Sequence, residues 1–445
     1  VGGQVVAGDP GTVVTGATVD SRRVRAGDLF FALPGRRADG HAFVAAALAA
    51  GARAAVVHRE VEAPGGALIR VPDTVVALAD LARWLRRQRP DLAVVGITGS
   101  LGKTTTKEMA AAVLGRRFRV LKSEGNYNTE IGLPLTLLGL EPGHEAAVLE
   151  MAMRGPGEIA RLASIAEPQV GVVTVVAESH LEFLGSLERV AAAKGELVEA
   201  LPPDGVAVLN ADDPRVLAMR QRTSARVLTF GRGEADVRAH AVESLGPAGS
   251  RFLLQYGGRE VPVRLAIPGP AAVTCALAAA ATGVALGVPL EEIAAGLAGV
   301  RPAAMRNEVR RIGSWTVYID CYNASPTSTV AALTTLREVA GRGRAVAILG
   351  DMFELGALAE EGHRRVGRHA ARTADVLLAV GQWAPSVLEG WREAGGDAAR
   401  AAAYPDKAAL VADLNRWLQP GDAILVKGSR GMEMERVVEA LAARA

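Results

Sequence analysis

At 445 residues the chain exceeds what one ordinary hydrophobic core holds, so two to four domains are expected. Hydrophobic residues at 49% and charged residues at 22% give the mix of a globular protein, and the two cysteines, Cys275 and Cys321, leave no room for a disulfide framework or a thiolate metal site. Fifty Lys plus Arg against 48 Asp plus Glu leave a net charge of +2, which gives no support to nucleic-acid or membrane-surface binding.

No apolar run reaches membrane-spanning length and nothing at the N-terminus reads as a secretion signal, so a cytoplasmic protein is expected. The first residue is Val1 rather than Met, and a few native residues are expected before it. Residues 13–19 read as an extended run into a turn at Asp20-Ser21-Arg22, and 28–33 as an apolar strand. A helix is expected at 41–50, a strand at 54–57 and a helix at 75–88 that Arg89-Pro90 ends.

From Asp91 strands and helices alternate, which predicts a mainly parallel sheet. Strands are expected at 92–97, 146–150, 170–176 and 206–209, with helices at 103–114 and 186–201. A second break falls at Arg301-Pro302, beyond which 345–349, 376–380 and 423–426 read as strands between helices. The expected plan is three α/β domains, spanning residues 1–85, 86–305 and 306–445.

The strongest local signal is Gly96-Ile97-Thr98-Gly99-Ser100-Leu101-Gly102-Lys103-Thr104-Thr105-Thr106, where an apolar strand meets a glycine-rich turn that opens into a helix. Glycines let backbone N–H groups wrap an anion, the helix start adds its positive end, and lysine neutralises phosphate charge. Thr104 is then placed to reach Mg²⁺. The spacing departs from the strict phosphate-loop pattern, because its first glycine position is Ile97.

Glu150 ends one strand and His180 follows another, so both can reach the crevice at the ends of parallel strands and share a Mg²⁺. Lys194 falls on the apolar stripe Leu187, Val190, Leu197, Val198 and Leu201 of its helix. From helical geometry alone, the plainer expectation is that it snorkels to solvent. The alternatives are a desolvated, nucleophilic amine and a carbamate formed with CO₂.

Taken in order, these strings resemble the Mur ligases of peptidoglycan synthesis along nearly the whole chain. The first domain carries Asp20-Ser21-Arg22, Gly27-Asp28-Leu29-Phe30-Phe31-Ala32-Leu33 and Asp39-Gly40-His41. The second adds Gly125-Asn126-Tyr127-Asn128, Glu150-Met151-Ala152-Met153-Arg154-Gly155-Pro156-Gly157, His180-Leu181-Glu182 and Ala193-Lys194-Gly195-Glu196 to the phosphate loop. The third carries Asp320-Cys321-Tyr322-Asn323-Ala324-Ser325-Pro326, Leu349-Gly350-Asp351-Met352-Phe353-Glu354-Leu355-Gly356 and Lys427-Gly428-Ser429-Arg430-Gly431.

The resemblance implies a small α/β domain for a UDP-muramoyl substrate, a central phosphate-loop domain with a mainly parallel sheet, and a Rossmann-like C-terminal domain that binds a dipeptide. It implies ATP-dependent joining of D-alanyl-D-alanine to UDP-N-acetylmuramoyl-tripeptide through an acyl phosphate, with Mg²⁺, by a cytoplasmic monomer that serves the cell wall, cell shape and division. Lys103, His180 and Lys194 would be catalytic, and Thr104, Glu150, His180 and a carbamylated Lys194 would hold metal. Nucleotide contacts would come from Gly99, Ser100, Gly102, Lys103, Thr104, Thr105 and Asn126, and from Arg306, Asp320, Tyr322 and Asn323 of the last domain. Asp20, Ser21, Arg22, Asp39, His41 and Asn128 would meet the muramoyl substrate.

The chain also departs from the family pattern. The segment Gly269-Pro270-Ala271-Ala272-Val273-Thr274-Cys275 lacks the asparagine expected to read adenine, with Cys275 in its place. A sister ligase that adds the third amino acid is marked by Asp-Asn-Pro-Arg in its last domain. The closest string here, Asp212-Asp213-Pro214-Arg215, falls in the central domain and reads as a turn.

Overall fold

The computed structural model describes residues 1–35, 38–62, 65–179 and 181–444. Three sheets order the chain, each covered by its own helices. The first has five strands in the order Gln4–Ala7, Ala67–Arg70, Ala54–Val57, Asp28–Phe31 and Gly16–Thr18. Only its first pairing is antiparallel. Asp28–Phe31 and Ala54–Val57 are buried throughout, which is why they read as unbroken apolar runs rather than alternating ones. Residues 41–50 divide into a 3₁₀ turn, Gly40–Phe43, and a short helix, Val44–Ala49, because Asp39 caps the turn by accepting from the His41 N–H.

Helix Thr74–Arg87 starts at Asp73, whose carboxylate accepts from the Val75 and Val76 N–H groups. It runs past residue 85 and packs on central-domain helices Gly132–Leu138 and Glu158–Ala166. Arg86 is buried there and donates to the carbonyls of Ala166 and Arg89 at 3.0 and 2.6 Å.

The central sheet has nine strands. Val120–Lys122, Ala146–Glu150, Ala93–Thr98, Val170–Val173, Val206–Asn210 and Arg226–Gly231 run parallel. Val237–Ser244, Ser250–Tyr256 and Arg259–Leu265 then extend it, the last two by antiparallel pairing. Ala93–Thr98 lies between Ala146–Glu150 and Val170–Val173, so three strand ends open side by side. Helix Lys103–Leu114 packs against Pro270–Ala285, whose run of small residues is almost wholly buried.

The third sheet has six strands, in the order Glu308–Ile312, Trp315–Asp320, Ala423–Lys427, Ala345–Gly350, Val376–Val380 and Ala401–Tyr404. All pairings but the first are parallel, so Asp320, Lys427 and Gly350 finish at one edge. Among the described residues no helix is long and apolar enough to cross a membrane.

Candidate active site

The phosphate loop is held open by its neighbours. Gly99 has φ +149°, and a Cβ there would lie 1.9 Å from Thr174 Oγ1. Gly102 starts the helix at φ +80°, where a Cβ would lie 2.8 Å from Cys275 Sγ. The chain beyond Val173 leaves the sheet to strap this loop, which is why the strand expected to reach residue 176 stops early. Ser100 N–H donates to Val175 O at 2.7 Å, Thr174 Oγ1 to Leu101 O at 2.5 Å, and Ser100 Oγ to Ala177 O at 2.9 Å. With the loop fixed from outside through Ser100, the N–H groups that follow it are left for an anion. Lys103 Nζ folds back onto Gly99 O at 2.8 Å. Burial holds that amine below the ordinary lysine value, Glu150 opposes the shift, and Arg306 adds to it.

Glu150 is 2% exposed. One carboxylate oxygen accepts from Thr104 Oγ1 and the other from Asn128 Nδ2, both at 2.8 Å. Its own N–H is held by Ser123 Oγ, and buried Lys107 donates to Ser123 O at 2.7 Å. Glu150 forms no ion pair with any described residue; its hydrogen-bond donors are neutral, and Lys103 is the nearby cation that it acts on.

Lys194 does not snorkel. It is 2% exposed, and no hydrogen bond or ion pair joins it to another described residue. Burial, and then the nearby charge of Lys103, drive its pKa well below the lysine value. Helical geometry suggested solvent because it cannot show that tertiary packing buries this face.

Across the opening stands the C-terminal domain. The Arg306 guanidinium stacks 3.9 Å from the Tyr322 ring centre. Asp320 receives Lys427 Nζ at 2.5 Å, and the same ammonium donates to Asn323 O at 3.0 Å. Met305 and Asn307 take φ of +60° and +50°, unusual for side-chain-bearing residues, where the chain enters this domain. Between the walls lies a cavity of about 260 Å³, lined by Lys103, Thr104 and Glu150 on one side and Arg306, Asp320 and Tyr322 on the other. Ser100, Gly102, Thr105, Asn128 and Asn323 also line it. Cys275 lines it too, its thiol pushed up to about 11 by burial and placed 3.7 Å from Gly102 O.

Other expected residues stand apart from this cavity. Asn126 is exposed and does not line it. Asp20 bonds to Arg22, and Asp39 to His41 and Arg59, all within the first domain. Ser21 begins the turn that Asp20 caps. Arg23 Nη1 reaches Tyr127 OH at 3.0 Å, joining that domain to the loop that carries Asn128. His180 lies outside the described residues. Asp213 of Asp212-Asp213-Pro214-Arg215 caps helix Pro214–Ala218 and accepts from Val176 N–H, so this string is a structural turn.

Sequence reasoning missed Ser123, Thr174, Ser179 and Glu178 as parts of the site, since single hydroxyls and one carboxylate carry no spacing signal. Lys427 could have been suspected from its place at the end of an apolar strand, where a buried lysine needs a partner.

Three family descriptions match the chain: Mur ligase family, catalytic domain, over residues 13–86; Mur ligase middle domain over 97–283; and Mur ligase, glutamate ligase domain, over 305–430. The UDP-N-acetylmuramoyl-tripeptide–D-alanyl-D-alanine ligase of Bacillus subtilis is 38% identical over 434 residues, covering 97% of this chain and 93% of that protein. The enzyme of the same name from Escherichia coli is 39% identical over 430 residues, covering 95% and 93%. Among solved structures, MurF from Acinetobacter baumannii superposes with a TM-score of 0.91 at 35% identity, covering 98% of this chain and 94% of the other. MurF from Thermotoga maritima in complex with ADP gives 0.86 at 30% identity, covering 98% and 100%.

Proposed function

Because the chain belongs to the Mur ligase family, we propose that it joins D-alanyl-D-alanine to UDP-N-acetylmuramoyl-tripeptide in peptidoglycan synthesis, driven by conversion of ATP to ADP and phosphate. The observation that carries this reading is the cavity, where a phosphate loop with Lys103 and Glu150 faces Arg306 and Asp320 of a second domain. The tripeptide's terminal carboxylate attacks the γ-phosphorus and forms an acyl phosphate. Backbone N–H groups of residues 101–104 and the Lys103 amine hold the phosphates, and Arg306 meets the transferring group from the opposite wall. The dipeptide amine then attacks the acyl carbon, and the tetrahedral intermediate collapses with loss of phosphate. Water would destroy the acyl phosphate, so the closed wall of the C-terminal domain protects it.

The donor set fits Mg²⁺. Thr104 Oγ1 and Glu150 Oε2 are hard oxygen ligands side by side on the phosphate-loop wall, and among the described residues Glu150 has no ion-paired cation. Among the described residues no three His, Cys, Asp or Glu side chains converge, so phosphate oxygens and water would fill the remaining positions. When bound, Mg²⁺ withdraws charge from the transferring phosphoryl group. Lys194 fits a carbamate, because a buried amine with a depressed pKa and no hydrogen-bond partner among the described residues is the neutral nucleophile that CO₂ requires. The modification would put a negative charge beside Lys103 where the neutral amine stood. We place the enzyme in the cytoplasm as a monomer. The deciding assay is ADP release that needs both the UDP-muramoyl tripeptide and D-Ala-D-Ala; turnover with free D-Ala alone would overturn the assignment.

A further inference from the structure

The segment that straps the phosphate loop also grips the C-terminal domain. Ser100 Oγ donates to Ala177 O and accepts from Ala177 N–H, both at 2.9 Å, and Ser179 Oγ donates to Ser100 Oγ at 2.9 Å. Between those two anchor residues, Glu178 reaches across the domain boundary. Its carboxylate accepts from Thr327 Oγ1, in the first turn of helix Pro326–Ala340, and from Arg365 Nη1 at 2.6 Å, on helix Ala359–Thr373.

A carboxylate is well placed at a helix start, where free N–H groups and the helix dipole favour negative charge. The helix it holds forms part of the cavity wall, through Ser325 and Ser328. Farther along, that helix lies against Gly269, where a Cβ would come within 2.1 Å of Thr335 Oγ1. The next turn of the strap adds a second tie, Glu182 N–H to Glu354 O at 3.3 Å, beside Gly356.

We infer that Glu178, Arg365 and Thr327 form the contact that positions the C-terminal wall over the phosphate loop, so that loop order and domain closure are linked through residues 177–179. An ordinary exposed ion pair does little, and with side-chain exposures of 20% and 45% the Glu178–Arg365 pair by itself is of that kind. Here, though, the pair bridges two bodies and shares its backbone with the nucleotide loop, so its loss changes how long the cavity stays shut. An open cavity lets water cleave the acyl phosphate, returning the carboxylate and free phosphate without an amide. Glu178, Arg365 and Thr327 are therefore positioning residues.

The consequence for turnover rests on the ligase reading above, and the test separates the two. Phosphate and amide are measured together with UDP-muramoyl tripeptide and D-Ala-D-Ala, for the wild type and Arg365→Met, Arg365→Lys and Glu178→Gln. Small-angle scattering is recorded on the same proteins with a non-hydrolysable ATP analogue. In the wild type, phosphate should equal amide. In Arg365→Met, phosphate should exceed amide, with the ratio of phosphate to amide rising from one by up to about fivefold, the factor that the upper end of an exposed ion pair allows. Its scattering should report a wider particle, and Arg365→Lys should recover part of both.

Wild-type stoichiometry and wild-type dimensions in Arg365→Met would overturn the proposal. Should Arg365→Met lose its fold, Glu178→Gln, which keeps shape and an acceptor for Thr327, decides by the same two readings. A wild type that makes no amide sinks the ligase reading instead, and the scattering comparison still reports on closure.

Discussion

The cavity and the first domain both collect charged residues from short motifs, yet they use them in opposite ways. On the phosphate-loop side, among the described residues, Lys194, which lies behind the cavity lining, has no hydrogen-bond or ion-pair partner, Glu150 bonds only to neutral donors, and Lys103 rests on its own loop. In the first domain, Asp20 is closed by Arg22, and Asp39 by His41 and Arg59. His41 in turn accepts the His58 N–H at 3.0 Å through Nε2, which fixes its proton on Nδ1 toward Asp39. A polar group buried without a partner raises the energy of the free protein, and that cost persists only where a ligand or a modification removes it. The difference separates residues that act on a ligand from residues that shape the surface around one.

Lys103→Ala tests the cavity half most severely. Removing the amine should lower kcat/KM for ADP release by about two to three orders of magnitude, since it stabilises charge that develops on the transferring group. Thermal stability should change little, because the amine bonds only to the carbonyls of Gly99 and Ser100. A loss under tenfold would break the comparison at its strongest point.

Lys194→Ala comes next, with an expected loss of roughly a hundredfold by analogy with groups that tune a metal site. Short carboxylic acids should restore part of the activity if a carbamate is the working form. Stability should move the other way in buffer free of carbon dioxide. The folded pKa of Lys194 is depressed, so between that value and 10.5 the unfolded chain holds a proton that the folded chain lacks, and wild-type stability rises with pH. Lys194→Met should therefore be the more stable protein near neutral pH, its lead shrinking as pH approaches 10.5. Denaturant midpoints across that range check the sign, and a wild type more stable than the variant throughout would show a partner for the amine.

The fate of Lys194 also marks where reading the sequence stops. Phosphate-loop geometry is local: an apolar strand, two glycines at positive φ and Lys-Thr at a helix start define it within a dozen residues. Glu150 was legible because a parallel strand delivers its last side chain to the crevice. The walls were not. Lys427 meets Asp320 across 107 residues of chain, and no spacing rule joins them. Ser123, Thr174 and Ser179 are ordinary hydroxyls until the loop they strap is placed beside them. The three strands 237–265 were missed for a different reason. Their in–out alternation, clear in the burial of Arg259–Leu265, was present but overshadowed by the βα rhythm before it. In the first domain the motifs were legible as strings, but only coordinates show that their charges bond to one another.

A smaller effect is expected at Gly102. Gly102→Ala puts a Cβ at φ +80° and 2.8 Å from Cys275 Sγ, so stability should fall by about 1–2 kcal/mol, with a several-fold rise in KM for ATP. The double variant with Cys275→Ala removes the contact but not the backbone strain, and should recover only part of the loss. Full recovery would mean that the sulfur contact, and not the turn geometry, requires glycine.

Asp39→Asn carries the least expected effect and tests the other half of the comparison. The Asp39 carboxyl lies near pKa 2, lowered from 3.8 by the His41 backbone N–H first, then the His41 ring, with Arg59 adding to it. A depressed carboxylate contributes stability that is complete above pH 3.8 and lost as pH falls through about 2. Wild type and Asp39→Asn should therefore differ slightly in thermal midpoint near pH 6 and converge toward pH 2. The group is exposed and its partners are screened, so the gap should also narrow with added salt. If Asp39 only frames the domain, the KM for the UDP-muramoyl substrate should stay within about threefold of wild type, the spread expected of a surface change. A rise of ten times that size, with the thermal midpoint unmoved, would place the carboxylate on the ligand and make the first domain resemble the cavity after all.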